Sequence, residues 1–119
     1  PYIEAFTNEE RLLMHFDTGG SLDLSAKYFA EHEDEVKANG RLKEGGGIGG
    51  FGGVKFINKY MLKNFPIQSG GSSVTIPEIA VLTNDGVVFD QYDGLIGADF
   101  IRLHTKTTVN FDKMFVRFE

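Results

Sequence analysis

The 119-residue chain contains no cysteine. That excludes zinc-finger, thiol-protease and disulfide-scaffold readings, and it leaves the redox compartment, and with it the localisation, undetermined. Positive charge is also scarce: 12 Lys and Arg against 17 Asp and Glu give a formal net charge of −5. No basic cluster offsets this excess, so nucleic acid is not an expected partner. No apolar run approaches the length of a membrane-spanning helix and no signal-peptide pattern opens the chain, so no membrane association is expected. A start at Pro1 in place of Met points to a processed or trimmed piece. The length is that of one domain, residues 1–119, large enough to bury a core without disulfide or metal staples.

What is present is mostly β-patterned. Tyr2 to Phe6 and Arg11 to Phe16 read as a hairpin around a turn at Thr7-Asn8-Glu9-Glu10. From Ser25, a capping residue, to Val36 the spacing predicts one helix, running to about 38 and stopped by Asn39-Gly40. Its acidic run Glu31, Glu33, Asp34, Glu35 is expected to be a solvated face. Val54–Leu62, Ser73–Ile76, Ile79–Leu82 and Val87–Phe89 read as short strands, separated by Asn64-Phe65-Pro66, Ser69-Gly70-Gly71, Pro77 and Asn84-Asp85-Gly86. Ala98 to Leu103 fits one or two helical turns, and Thr108–Phe111 with Met114–Phe118 a final hairpin about Asp112-Lys113. Strands at this spacing predict a barrel or sandwich.

Two stretches are chemically unusual. In Met14-His15-Phe16-Asp17-Thr18-Gly19-Gly20-Ser21 an apolar strand ends in a carboxylate, a hydroxyl and a glycine turn. An acid emerging from a buried strand must be hydrogen-bonded, paired or shifted in pKa, and Thr18, Gly19 and Ser21 supply donors nearby. Residues 45–53 hold seven glycines in nine positions, interrupted by Ile48 and Phe51. Such a stretch is permissive in φ and poor in side chains to pack, which predicts a mobile hairpin tip or loop. It also satisfies G-x-G-x-x-G from Gly45 to Gly50. A match in so rich a run is nearly automatic, and the strand-like Val54-Lys55-Phe56-Ile57 follows where a dinucleotide site needs a helix. A solvated linker, in turn, has no use for Ile48 and Phe51.

An Asp-Thr-Gly by itself would arise by chance in about two chains per hundred of this length. Here it is followed about thirty residues later by Gly46-Gly47-Ile48-Gly49-Gly50-Phe51 and then by Leu95-Ile96-Gly97. In this order the three elements resemble the retropepsin-like aspartic proteases, and the resemblance covers the whole chain. The glycine-rich segment is similar to the flap of viral members. Leu95 to Phe100, with Val109-Asn110-Phe111-Asp112-Lys113 and Phe115, looks more like the bacterial gag-polyprotein-type members. The resemblance implies a mainly β fold, a closed β-barrel lobe with one or two short helices, and aspartic endopeptidase activity on a peptide or protein substrate, with no cofactor and no metal.

The implied roles are as follows. Asp17 is the catalytic aspartate, Thr18 bonds across to a partner lobe, the Gly19 N–H supports the carboxylate, and the Ser21 hydroxyl bonds its outer oxygen. Gly47, Ile48, Gly49, Gly50 and Phe51 form the flap that closes over substrate, and Leu95-Ile96-Gly97 crosses behind the catalytic loop. Gly20 stands where the family usually has Ala or Ser, which implies a looser loop. His15 stands where an aliphatic residue is common and reads as a structural side chain.

Peptide hydrolysis by this route needs two carboxylates sharing a water and a proton, and the chain has one Asp-Thr-Gly. Asp93, before a glycine turn, and Asp99, on the next helix, read as structural. The second acid is therefore expected from another copy in a homodimer, with Pro1-Tyr2-Ile3 and Phe115 to Glu119 as terminal edges for the partner, or from a second lobe of a parent chain. A peptide-binding or structural lobe without turnover is the alternative. A metal hydrolase is weaker, since His15, His32 and His104 lie far apart and His32-Glu33 lacks the H-E-x-x-H spacing.

Overall fold

The computed structural model describes residues 2–17, 19–50, 53–83, 91–110, 112–113 and 115–119, with backbone alone at 45–50, 53–57 and 115. The expected strand Val87–Phe89 and its turn at 84–86 lie outside the described residues. Strand β1 (Tyr2–Thr7) turns at Asn8, which takes a positive φ of 55°, into β2 (Glu10–Phe16). The two pair antiparallel from Tyr2↔His15 to Thr7↔Glu10, and alternation along β2 buries Leu12 and Met14. After a loop come β3 (Asp23–Leu24), helices α1 (Ala26–Glu31) and α2 (Glu33–Asn39), and the long strands β4 (Arg41–Gly50), β5 (Gly53–Ser69) and β6 (Ser72–Leu82). Then follow β7 (Gly94–Ile96), the single turn α3 (Ala98–Ile101), β8 (Thr107–Asn110) and β9 (Phe115–Phe118).

The main sheet runs β1-β2-β7-β3-β6-β5-β4, and a further pairing of β1 with β5, Phe6↔Gln68, closes six of its strands into a barrel. Ser69 Oγ donates to the Glu4 carbonyl across the same seam at 2.9 Å. Closure leaves β4 outside the ring as the outer arm of the β4–β5 hairpin. The barrel is filled by Leu12, Met14, Leu24, Ile67, Ile79, Val81 and Ile96, with Phe100 from α3 closing one end. Burying each contributes roughly 1.5–3 kcal/mol.

Two expectations are corrected here. The single helix over 25–38 is two helices, because His32 leaves helical geometry at φ −131°, ψ 27°. Its ring is held elsewhere: Nε2 lies 2.6 Å from Glu10 Oε1, Nδ1 lies 2.9 Å from the Tyr28 carbonyl oxygen, and the imidazole stacks on the Tyr28 ring. The break places Glu33, Asp34 and Glu35 in the first turn of α2, where the helix dipole favours them, and all three are exposed as expected. Second, Asn64-Phe65-Pro66 and Pro77 do not interrupt strands. The register Lys63↔Glu78 and Phe65↔Ile76 sets Asn64, at φ 55°, opposite Pro77. The residue without an N–H thus meets the one that has turned out of strand geometry, and both irregularities fall at a single rung. The N-terminal strand is paired with β2 from Tyr2 onward, and its other side meets β5 at Phe6↔Gln68.

The two-residue turn Gly70-Gly71, with φ of 55° and 85°, joins β5 to β6 as the sequence predicts, because only glycine takes both values cheaply. The β8–β9 ribbon, also as expected, is tied back by Phe118 N–H donating to the Gly70 carbonyl at 2.9 Å and by an edge-on contact of Phe118 with Phe100.

Candidate active site

Asp17 follows directly on β2, and its loop is pinned from three sides. Its N–H donates to the Ile96 carbonyl at 3.0 Å, so β7 fixes where the strand ends. Gly20 N–H donates back to the Asp17 carbonyl at 3.1 Å, closing a tight turn over residues 17–20. Ala98 N–H, at the start of α3, donates to the Gly20 carbonyl at 2.8 Å. The strand and helix that flank Gly97 therefore both hold the loop. Gly97 is where backbones touch, since a Cβ there would lie 2.1 Å from the Gly20 carbonyl oxygen. No other residue fits without moving backbone.

Within this turn the Gly19 N–H donates to Asp17 Oδ1 at 3.0 Å. The side chain of Asp17 is otherwise open to solvent, which corrects the expectation of a buried acid: Met14 is fully buried and Phe16 half-buried, but the carboxylate projects beyond the last rung. Ser21 is exposed, and among the described residues no hydrogen bond joins its hydroxyl to Asp17. Thr18 and Phe51 lie outside the described residues. Gly47, Ile48, Gly49 and Gly50 belong to β4 and pair with Phe56, Lys55, Val54 and Gly53 of β5. The glycine-rich stretch is thus a true hairpin, with a one-residue bulge between Lys43 and Gly46.

Gly20 is closely packed. A Cβ there would come 2.4 Å from Leu95 Cδ2, so the missing side chain makes room for Leu95. Asp93 and Asp99 are structural, as expected. Asp93 is buried, accepts from the Leu13 N–H at 2.8 Å and from Lys27 Nζ at 2.7 Å, and so braces β2 against α1. Asp99 is exposed beside Arg102. His15 sits half-buried with its ring 5.2 Å from that of Tyr92. Among the described residues no cluster of His, Asp and Glu has the makings of a metal site. A recess of about 420 Å³ between the β1–β2 turn, α2 and the middle of β5 does not include Asp17.

One acid was not singled out by the sequence reading. Asp23, between Leu22 and Leu24, is half-buried, and burial pushes its carboxyl above the usual carboxylate range, with Lys59 opposing and Asp99 adding to the shift. The signal was available in the alternation itself: Leu22 and Leu24 are core residues, so the carboxylate between them must face the other way.

Neither a protein-family model nor a curated protein sequence matches the chain. Among solved structures it is similar to EIAV protease complexed with the inhibitor HBY-793, with a TM-score of 0.53 over 86% of this chain and 85% of that one, at 23% identity. The fold is that of a retropepsin-like lobe.

Proposed function

We propose that the chain is a single lobe of an aspartic endopeptidase that works as a homodimer, each copy supplying one Asp17. The observation that carries this reading is the Asp17 turn itself, a solvent-facing carboxylate supported by the Gly19 N–H and held by β7 and the start of α3. The exposure of Asp17 in one copy fits a site whose other wall comes from a partner, and the similarity to EIAV protease supports the same arrangement. The finer resemblance to bacterial gag-polyprotein-type members rests on the sequence of Leu95 to Phe100, Val109 to Lys113 and Phe115 alone.

In this reading one carboxylate of the pair is ionised and takes a proton from a water placed between the two, as the water oxygen bonds to the peptide carbonyl carbon. The other, protonated, gives its proton to the carbonyl oxygen, leaving a neutral gem-diol. Proton transfer to the amide nitrogen then lets the C–N bond break, releasing an acid and an amine and restoring one shared proton. The N–H of Gly19 steadies the ionised oxygen through each step. Thr18 bonds across to the partner lobe, Ser21 serves the outer oxygen once the two loops meet, and Gly47, Ile48, Gly49, Gly50 and Phe51 close over the bound peptide. Glycine lowers the cost of that movement and Ile48 and Phe51 give apolar cover.

The test is incubation of the purified chain with a mixed peptide library, with and without a statine-type transition-state analogue. Cleavage blocked by the analogue supports the reading. Binding of the analogue without any cleavage would instead identify a peptide-binding lobe.

A further inference from the structure

The barrel carries an acid on the face that adjoins the Asp17 turn, and the mechanism makes no use of it. Strand register defines that face. His15 of β2 pairs with Leu95 of β7, Leu95 with Asp23 of β3, Asp23 with Ala80 of β6, and Ala80 with Met61 of β5. Directly paired residues project to the same side of a sheet, so these five side chains form one continuous row across five strands. The neighbouring row, Met14, Gly94, Leu24, Val81 and Tyr60, projects the other way, and of its members Met14, Leu24 and Val81 are completely buried in the core. The His15 row is therefore on the outer side of that wall, where His15, Leu95, Asp23 and Met61 are all half-buried.

This row abuts the catalytic turn. Asp17 lies two residues beyond His15, with the same parity, and Leu95 occupies the space that a side chain on Gly20 would take. Asp23 stands two strands from β2, about 10 Å sideways at the usual strand spacing, and two residues along, about 7 Å. The separation from Asp17 is thus about 12 Å. An extended peptide advances roughly 3.4 Å per residue, so a long side chain one or two residues from the scissile bond spans that distance.

Among the described residues the Asp23 carboxylate makes no hydrogen bond and no ion pair. Among the described residues the charged groups that act on it are Lys59, which projects from β5 on the same face and attracts it, and Asp99 of α3, which repels it; His15 shares its row. Burial makes this carboxylate costlier to keep charged, and a cation arriving with a ligand would offset that cost through a charge-assisted hydrogen bond. The acidic balance of the chain as a whole draws cations in the same direction.

We propose that Asp23 is a specificity residue of the cleft: its carboxylate receives a lysine or arginine side chain carried by the substrate one or two residues from the bond to be cut. This rests on the endopeptidase reading for its substrate but not for its measurement, which is made on binding. Fluorescently labelled hydroxyethylene-isostere peptides would be prepared with Lys, norleucine or Glu at each of the two positions on either side of the isostere, and their affinities read by anisotropy. At one position the Lys peptide is expected to bind about tenfold more tightly than the norleucine peptide, and the Glu peptide more weakly than both. Asp23→Asn should erase that preference and Asp23→Glu should retain it. Equal affinities at every position, a Lys preference that survives in Asp23→Asn, or no binding by any member would each overturn the proposal. If the Asp23-dependent preference is found but the matching amide peptides are never hydrolysed, the binding specificity stands and the endopeptidase reading falls.

Discussion

The chain uses glycine in two opposite ways. At the Asp17 turn Gly97 and Gly20 are present because another group already fills the space: a Cβ on Gly97 would meet backbone oxygen at 2.1 Å, and one on Gly20 would meet Leu95 at 2.4 Å. At the tip of the β4–β5 hairpin Gly47, Gly49 and Gly50 lie in strand pairing, where glycine is a poor residue because it packs nothing and has the most backbone freedom to lose. The first pair lets the turn pack closely. The second group weakens a strand that a β-branched residue would strengthen, which in our reading suits a strand that has to move. The same amino acid therefore marks the part of the site that is held and, in our reading, the part that closes.

That contrast can be broken by substitution. Gly97→Ala should have the largest effect, because the clash is with backbone and cannot be relieved by a rotamer change. A loss of about 3 kcal/mol in denaturant unfolding, or failure to fold, is expected. Gly49→Val should do the reverse, leaving the melting temperature unchanged or higher, since valine favours strands, while turnover per folded molecule falls by about tenfold or more. A variant that unfolds yet keeps its activity per folded molecule would remove the flap from the account. Gly20→Ala should be milder than Gly97→Ala, costing about 1 kcal/mol, since a leucine side chain can give way. Equal losses for the two would show that close packing at the turn does not distinguish them.

The smallest effect is expected at Asp23 and has the opposite sign. Its folded pKa lies above the unfolded value of 3.8, chiefly through burial. The folded state therefore binds the proton more tightly. The stability from that proton is complete below the unfolded value and is lost as pH rises through the folded one. Asp23→Asn should accordingly melt slightly above wild type at neutral pH, and the difference should close on acidification toward the unfolded value. Parallel melting curves at all pH values would contradict this.

Much of the site was legible because it is local. Asp17-Thr18-Gly19 announces a strand end and a turn, Ser25 a helix start, and Gly70-Gly71 a two-residue hairpin, each through the conformational needs of a few adjacent residues. What could not be read depends on partners distant in sequence. The parallel pairings of β2 with β7 and of β3 with β6 leave no local mark. His32 breaks its helix while its ring reaches Glu10, 22 residues away, and Asn64 is tolerated in a strand because Pro77 is its opposite number. Asp23 was passed over because, in sequence, it is one acid among 17 acidic residues, and it becomes distinctive only through its register with Leu95 and Ala80.

The central claim is that two copies of Asp17 make one active site, and mixing tests it most directly. Wild type and Asp17→Asn, with folding of the latter checked by circular dichroism, would be combined at fixed total concentration, allowed to exchange, and assayed on one cleavable peptide. If both carboxylates are needed, activity falls as the square of the wild-type fraction and the pure variant is inactive. A fall in simple proportion to that fraction, or any substantial activity in pure Asp17→Asn, would show that the site does not depend on a pair of these residues.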